Sequence, residues 1–336
     1  MSKEHRVLTG ITTTGVPHLG NLVGAVLPAI KASKLEYTTS FLFLADYHSL
    51  IKNSDSKSRH ESSFEIAACW LACGLDPSKV IFYRQSDIPH IFELAWILSC
   101  LSSKGLLNRA HAYKAATSDN ETNKSKDIDQ GINMGLFNYP ILMAADILMF
   151  KADLVPVGQD QKQHIEMTRD IALKFNHHYG DILTPPEAVI DENTGVLPGI
   201  DGRKMSKSYN NTIPIFGEEA ALKKVIMKIK TDSLEPGQPK NVIGSNIFDI
   251  YKAIGSEDQI DHLKKLYEEG VSWGEAKNIL FEELNSFLRP FKDEYKQIVK
   301  DRASVEKILV EGSEKALAIS GPIIEEVRQA VGIKGF

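Results

Sequence analysis

The sequence predicts an α/β fold with a doubly wound parallel sheet, followed by a region built only of helices. Three observations carry this reading. Over residues 1–211, short β-branched or continuous apolar runs alternate with segments of helical periodicity, the pattern of parallel strands joined by right-handed crossovers. The runs at 7–12 and 152–157 each lead into a glycine-bearing polar cluster at a helix start. From residue 212 onward only amphipathic helical segments recur. The expected organisation is a Rossmann-like domain over 1–211, with a polar insertion at about 114–130, and a helical C-terminal domain over 212–336.

The chain of 336 residues has room for two domains and a substantial core. Its 43% hydrophobic and 25% charged content is that of an ordinary globular protein. No apolar run is long enough to span a bilayer and Met1 to Arg6 contains no signal-peptide hydrophobic segment, so a cytoplasmic location is expected. Cys69, Cys73 and Cys100 match no zinc or disulfide spacing and read as buried free thiols. A net charge of -5 gives no general attraction for nucleic acid, so RNA binding would need a local basic face.

Residues 7–12 form the first expected strand, broken by Thr13, Thr14, Gly15, Val16 and Pro17. His18-Leu19-Gly20-Asn21 follows, and Leu22, Val23, Val26, Leu27 and Ile30 continue at helical spacing. Unpaired N–H groups and the helix dipole make such a strand-to-helix turn a place for anions. Gly20 permits close approach of a ribose or adenine, and His18 and Asn21 can donate to phosphate. Taken alone, a histidine here is more often a cap or a surface residue.

A second strand, 40–46, ends in Asp46-Tyr47-His48 at the crevice edge. A helix carrying Phe64, Ala67, Ala68, Leu71 and Ala72 leads to a third strand at 80–83 and a helix at 91–101. The stretch 117–129 is almost devoid of apolar residues and interrupts the alternation. In the helix over 139–148, Pro140 suits the first turn, and Tyr139, Met143 and Asp146 share a face. A carboxylate on so apolar a helix needs a partner. An indole N–H, which only donates, is one; a structural salt bridge is the other.

The strand at 152–157 runs into Gly158-Gln159-Asp160-Gln161. Asp160 can accept from ribose hydroxyls or cap a helix, and the Gln161 carbonyl can hold an ammonium group. His164 and Arg169 read as structural. Residues 199–211 place Arg203, Lys204 and Lys207 with Ser206 and Ser208 between glycines and asparagines, which favours a mobile loop; it could clamp a polyphosphate, and on charge alone a solvated basic loop is the commoner alternative. Beyond it, helices are expected over 217–230, 256–270, 272–289, 290–300 and 304–331, the first with a basic side at Lys223, Lys224, Lys228 and Lys230.

Lys204-Met205-Ser206-Lys207-Ser208 matches the ATP-binding signature loop of class I aminoacyl-tRNA synthetases, and His18 to Asn21 resembles their second signature. With Thr9 to Ile11, Tyr139 to Leu148, Pro156 to Arg169 and Lys230 to Ser233 in the same order, the chain resembles the bacterial-type tryptophanyl-tRNA synthetases. The tyrosyl branch shares the fold and loops, whereas Met143-Ala144-Ala145-Asp146 has the pattern of an indole pocket. The resemblance implies that Asp146 accepts the indole N–H, that Met143, Val155 and Val157 pack the ring beside His48, and that Tyr139 and Gln161 bind the α-amino group. It implies ATP contacts from Thr12, Thr13, Thr14, Gly20, Asn21, Gly158, Gln159, Asp160 and Val196, and from Lys204, Met205, Ser206, Lys207 and Ser208. His18, Asn21, Lys204 and Lys207 are its catalytic set. It further implies Mg²⁺ entering with ATP and no dedicated protein metal site, tRNA(Trp) as partner, an anticodon-binding role for 212–336, a homodimer, and neither membrane nor DNA as partner. The chain departs from the family where Thr12-Thr13-Thr14 replaces a frequent Gln-Pro-Ser and where Leu8 replaces an aromatic. Rival readings are a tyrosyl-type enzyme, a nucleotidyltransferase of the same superfamily, and a catalytically silent RNA-binding paralogue.

Overall fold

The computed structural model describes residues 4–13, 15–35, 38–51, 54–190 and 197–333. Five parallel strands, β1 (His5–Thr12), β2 (Thr38–Ala45), β3 (Ile81–Arg84), β4 (Leu154–Pro156) and β5 (Glu187–Val189), lie in the order β3-β2-β1-β4-β5. The chain winds outward to β2 and β3, then returns to the far side of β1 to lay down β4 and β5. The reversal opens a crevice at the carboxyl ends of β1 and β4, where open α/β sheets bind ligands.

β2 shows why the sheet is buried on both faces. Leu42 and Leu44 point into one apolar layer, with Leu19, Leu22, Trp70 and helices of the C-terminal region; Phe41, Phe43 and Ala45 point into the other, with helices Pro89–Leu101, Met134–Leu148 and Lys162–Tyr179. The final helix, Arg302–Val331, touches both layers, through Val305 and Leu309 and then through Ala316, Ile323, Ile324 and Val327. It crosses β3 so closely that a methyl group on Gly312 would lie 1.7 Å from the Phe82 carbonyl oxygen. Arg84, at the end of β3, donates to both oxygens of Glu306 on that helix at 2.8 and 2.7 Å. The last helix therefore covers the sheet edge that β3 would otherwise expose.

Four expectations are corrected. Residues 114–122 of the polar insertion expected at about 114–130 belong to the helix His111–Thr122, although none of its residues is buried. The segment that follows is tied back to it by Tyr113, in the first turn, donating to Asp129 at 2.7 Å and by Asn120, in the last, donating to the Ile128 and Gln130 carbonyls at 2.8 and 2.9 Å. Pro290 does not divide two helices, because Trp273–Ile298 is continuous through it. A proline inside a helix forfeits a hydrogen bond at a cost of about 3 kcal/mol. The buried stripe Leu280, Leu284 and Leu288 and the edge-on pairing of Phe287 with Phe291 across the proline hold the axis in place. β5 is a strand the periodicity concealed, being three residues long and preceded by Pro185 and Pro186. Cys69 and Cys73 are buried thiols, but Cys100 is exposed, on the outer side of a helix that buries Ile91, Leu94, Ile97 and Leu98. Among the described residues no helix is long and apolar enough to cross a membrane.

Candidate active site

The turn after β1 and the loop at 199–211 are folded onto each other. His18 caps the short helix Leu19–Asn21: its Nδ1 accepts the Asn21 N–H at 3.3 Å, and its own N–H donates to Asn21 Oδ1 at 3.1 Å. The capping alternative is therefore what the structure shows for His18, and it has a chemical consequence. Burial, then the charge of Lys207, pushes the His18 pKa down to about 4, so the ring is neutral near pH 7. With Nδ1 accepting, the proton sits on Nε2, which becomes a neutral donor. The Gly20 N–H donates to Met205 Sδ at 3.3 Å, and the Leu19 N–H to the Ile213 carbonyl at 2.9 Å.

Asn211, fully buried, organises the loop from within. Its carbonyl oxygen accepts the Ser206 N–H at 2.8 Å, and its amide donates to Asp201 at 2.7 Å and to the Lys204 carbonyl at 3.1 Å. Arg203 pairs with Asp201 and lies 4.3 Å over the Tyr209 ring, so its cation is spent inside the loop. Replacing Asn211 by Ala should strip hydrogen-exchange protection from the Ser206 amide, because three hydrogen bonds of a buried group are lost together. Retained protection at Ser206 would show that the loop does not depend on it.

The loop's two lysines reach opposite sides of the crevice. Lys204 Nζ lies 3.5 Å from Asp160 Oδ2, at the β4 side, and both side chains are more than half exposed. An exposed pair of this kind is worth at most about 1 kcal/mol and is readily exchanged for a phosphate. Lys207 Nζ would stand 3.2 Å from a Cβ on Gly15, at the β1 side, where φ is +90° and a side chain would be strained. Desolvation lowers the Lys207 pKa, with Glu65 opposing. The hydroxyl of Thr13, the residue after β1, is fully buried and without a hydrogen-bond partner among the described residues. A neutral imidazole donor and two ammonium groups beside the ends of β1 and β4 suit a polyphosphate.

A second cluster sits at the ends of β2 and β3. Asp146, 1% exposed, accepts from Gln85 Nε2 at 2.8 and 3.0 Å and bonds His48 Nε2 at 2.9 Å. Burial raises its pKa, and the contacts from His48 and Gln85 oppose that rise. Three of a carboxylate's roughly four acceptor positions are thereby used, and one is left for a further donor. Tyr139 stands edge-on to His48, with centroids 6.5 Å apart, and its hydroxyl meets His164 Nε2 at 2.5 Å; His164 Nδ1 lies 2.8 Å from Gln161 Oε1. Val155 is buried, and Met143 and Val157 are half-buried apolar neighbours of the same layer.

Of the expected residues, His18, Gly20, Asn21, Met205 and Ser206 meet directly or through the loop, and Ser206 Oγ contacts Ser208 Oγ at 2.9 Å. His48 joins Asp146, and Tyr139 joins Gln161 through His164. Thr12, Gly158, Gln159 and Asp160 line the exposed rim at the strand ends, while Thr14 and Val196 lie outside the described residues. Gln85, which follows a strand as the other site segments do, went unread, and His164, one helical turn after Gln161, read only as structural. Among the described residues no group of three or more His, Cys, Asp or Glu side chains is placed to hold a metal ion.

A family model for class I tRNA synthetases (W and Y) matches residues 1–289. A tryptophan–tRNA ligase from Neisseria meningitidis is 51% identical over 334 residues, 99% of each chain. One from Pseudomonas putida is 52% identical over 98% of this chain and 74% of its own length. Among solved structures, the tryptophanyl-tRNA synthetase of Campylobacter jejuni complexed with ADP and tryptophan superposes with a TM-score of 0.87 at 40% identity, covering 97% of this chain and 99% of that one.

Proposed function

The chain belongs to the class I tRNA synthetases of the tryptophan and tyrosine branch, and from that premise we propose how its residues carry out the reaction. Its function is that of a tryptophan–tRNA ligase, with ATP as the activating substrate. The observation that carries the residue assignment is a buried carboxylate, Asp146, hydrogen-bonded to residues that follow β2 and β3, on the same sheet whose β1 and β4 ends are approached by Lys207 and Lys204.

In this reading the indole N–H takes the remaining acceptor position of Asp146, with Met143, Val155, Val157 and His48 around the ring. Tyr139 and Gln161 hold the α-ammonium. ATP lies across the turn after β1, its adenosine against Gly20, Asn21, Gly158, Gln159 and Asp160 and its triphosphate under Met205, Ser206 and Ser208. The tryptophan carboxylate attacks the α-phosphorus; a new oxygen–phosphorus bond forms as the bridging bond to the β-phosphate breaks, and its electron pair leaves with pyrophosphate. His18 Nε2–H and the two lysines stabilise the oxygens on which charge grows, so no protein nucleophile is needed. A ribose hydroxyl of the tRNA(Trp) 3′-terminal adenosine then attacks the tryptophanyl carbonyl and AMP departs. Mg²⁺ would accompany ATP as part of that substrate. The helices of 212–336 are the region we assign to the tRNA anticodon, and the cytoplasm is where charged tRNA is consumed.

Tryptophan-dependent exchange of pyrophosphate into ATP tests the whole reading. Exchange with tryptophan and not with tyrosine is expected. Exchange with tyrosine alone would overturn the amino acid, and none with any amino acid would favour a silent paralogue.

We also propose a homodimer. Trp96 is 73% exposed, and one turn earlier on its helix Phe92 packs on Tyr47 with centroids 4.2 Å apart, beside Leu50, itself 48% exposed. So large an exposed indole beside other apolar side chains suits the centre of a subunit interface. Trp96→Glu should convert a dimer into a monomer in sedimentation velocity; an unchanged mass would remove this patch from the interface.

A further inference from the structure

We propose that His164 is a positioning residue that makes Tyr139 and Gln161 obligate hydrogen-bond acceptors, so that their site admits the protonated α-amine and rejects groups that cannot donate. The proposal rests on the assignment of Tyr139 and Gln161 to the substrate ammonium.

The geometry is a three-membered chain. His164 is 4% exposed, with Nε2 at 2.5 Å from the Tyr139 hydroxyl and Nδ1 at 2.8 Å from Gln161 Oε1. Its backbone carbonyl accepts the Thr168 hydroxyl at 2.8 Å, and it lies on the first turn of the Lys162–Tyr179 helix, so the ring is held on a rigid element. Burial, reinforced by the neighbouring His111, lowers its pKa and keeps the imidazole neutral. A neutral imidazole has one donor and one acceptor. Gln161 Oε1 can only accept, so the proton is on Nδ1. Nε2 must then accept, and the only hydrogen available to it is the one on the Tyr139 hydroxyl.

The consequence falls on the two outer residues. With its hydrogen committed to His164, the Tyr139 oxygen presents lone pairs alone. With its carbonyl held by Nδ1–H, the Gln161 amide cannot rotate to offer its NH₂, and Oε1 keeps a second lone pair. A primary ammonium has three donors and no acceptor, which is the complement of this pair. Without His164 the phenol could turn its hydrogen toward the ligand and the amide could flip, each placing a donor against a cation. His164 touches neither the indole nor the reacting carboxylate in this arrangement, so its effect is on binding rather than on the chemical step.

The test uses two competitive inhibitors of tryptophan in the exchange assay. Tryptamine has the ammonium and no carboxylate; indole-3-propionate has the carboxylate and no ammonium. In His164→Phe the inhibition constant of tryptamine should rise about tenfold or more, while that of indole-3-propionate moves less than about threefold, as expected when one ligand group loses an oriented buried acceptor pair. The tryptophan KM should rise and kcat hold within about threefold, the pattern for loss of uniform binding. Tyr139→Phe should give the same selective loss, and the double variant should lose little more than either single one, because both break one chain. Equal weakening of both inhibitors in His164→Phe would show a merely structural role and overturn the proposal. A selective loss in Tyr139→Phe but not in His164→Phe would also overturn it while leaving the ammonium site standing. No selective loss in either would mean that the ammonium binds elsewhere. Should His164→Phe fail to fold, His164→Leu, which also lacks a donor and an acceptor, is to be measured in its place, with the same expected and overturning results.

Discussion

Asp146→Ala should lower kcat/KM for tryptophan by about 10²- to 10⁴-fold while the ATP KM changes less than about threefold. The size follows from what the carboxylate holds. It is fully buried and ties His48 from the end of β2 to Gln85 from the end of β3. Removing it deprives the indole N–H of its acceptor and strands the Gln85 amide and the His48 ring, each buried group left unpaired costing about 1–3 kcal/mol. Part of that cost falls on folding, so the melting temperature should drop as well. The ATP KM separates the two effects, because the phosphate-binding groups lie in the β1 turn and the 199–211 loop, outside this network. Asp146→Asn is the sharper companion. It preserves volume but turns a donating amide toward Gln85, which already donates to both oxygens. Equal losses for tryptophan and ATP would mean that Asp146 holds the fold and does not read the amino acid.

How much of this was legible in the sequence depended on whether a function lay in contiguous residues. His18 to Asn21 and Lys204 to Ser208 are unbroken words, and the apolar runs of β1 to β4 alternate with helical segments in the pattern of a parallel sheet. The face shared by Tyr139, Met143 and Asp146 was readable because helical spacing alone puts them together. Gln85 was not readable, since it acts through Asp146, 61 residues away, and His164 read only as structural because its link to Tyr139 spans 25 residues. Arg203 was left without a role because charge alone does not reveal that Asp201 and Tyr209 consume it within the loop. Local composition also misled where tertiary packing outweighed it. Pro290 lies inside a helix because apolar stripes on both sides are anchored, and residues 111–122 are helical because side-chain bonds beyond Thr122 close the segment.

The loop lysines give the other large effect. Lys207→Ala should reduce kcat for pyrophosphate exchange by about 10²- to 10³-fold, the usual cost of removing one preorganised stabiliser of developing negative charge, with a smaller change in the ATP KM. Lys207 differs from Lys204 in its second contact. It lies on the β1 side, where its charge, after burial, helps to hold His18 far below the ordinary histidine range. Removing that charge must raise the His18 pKa, though burial keeps it below 6.5. The neutral ring is the form that caps Asn21 through Nδ1 and donates from Nε2, and it is lost as pH falls through the folded-state pKa. The acid limb of the rate profile should therefore move to higher pH in Lys207→Ala and stay in place in Lys204→Ala, since Lys204 faces Asp160 across the crevice. Identical acid limbs in the two variants would disconnect His18 from the limb. A raised ATP KM with unchanged kcat in Lys207→Ala would instead make that lysine a ground-state binder of ATP, because an interaction made equally in substrate and transition state cannot alter the chemical step.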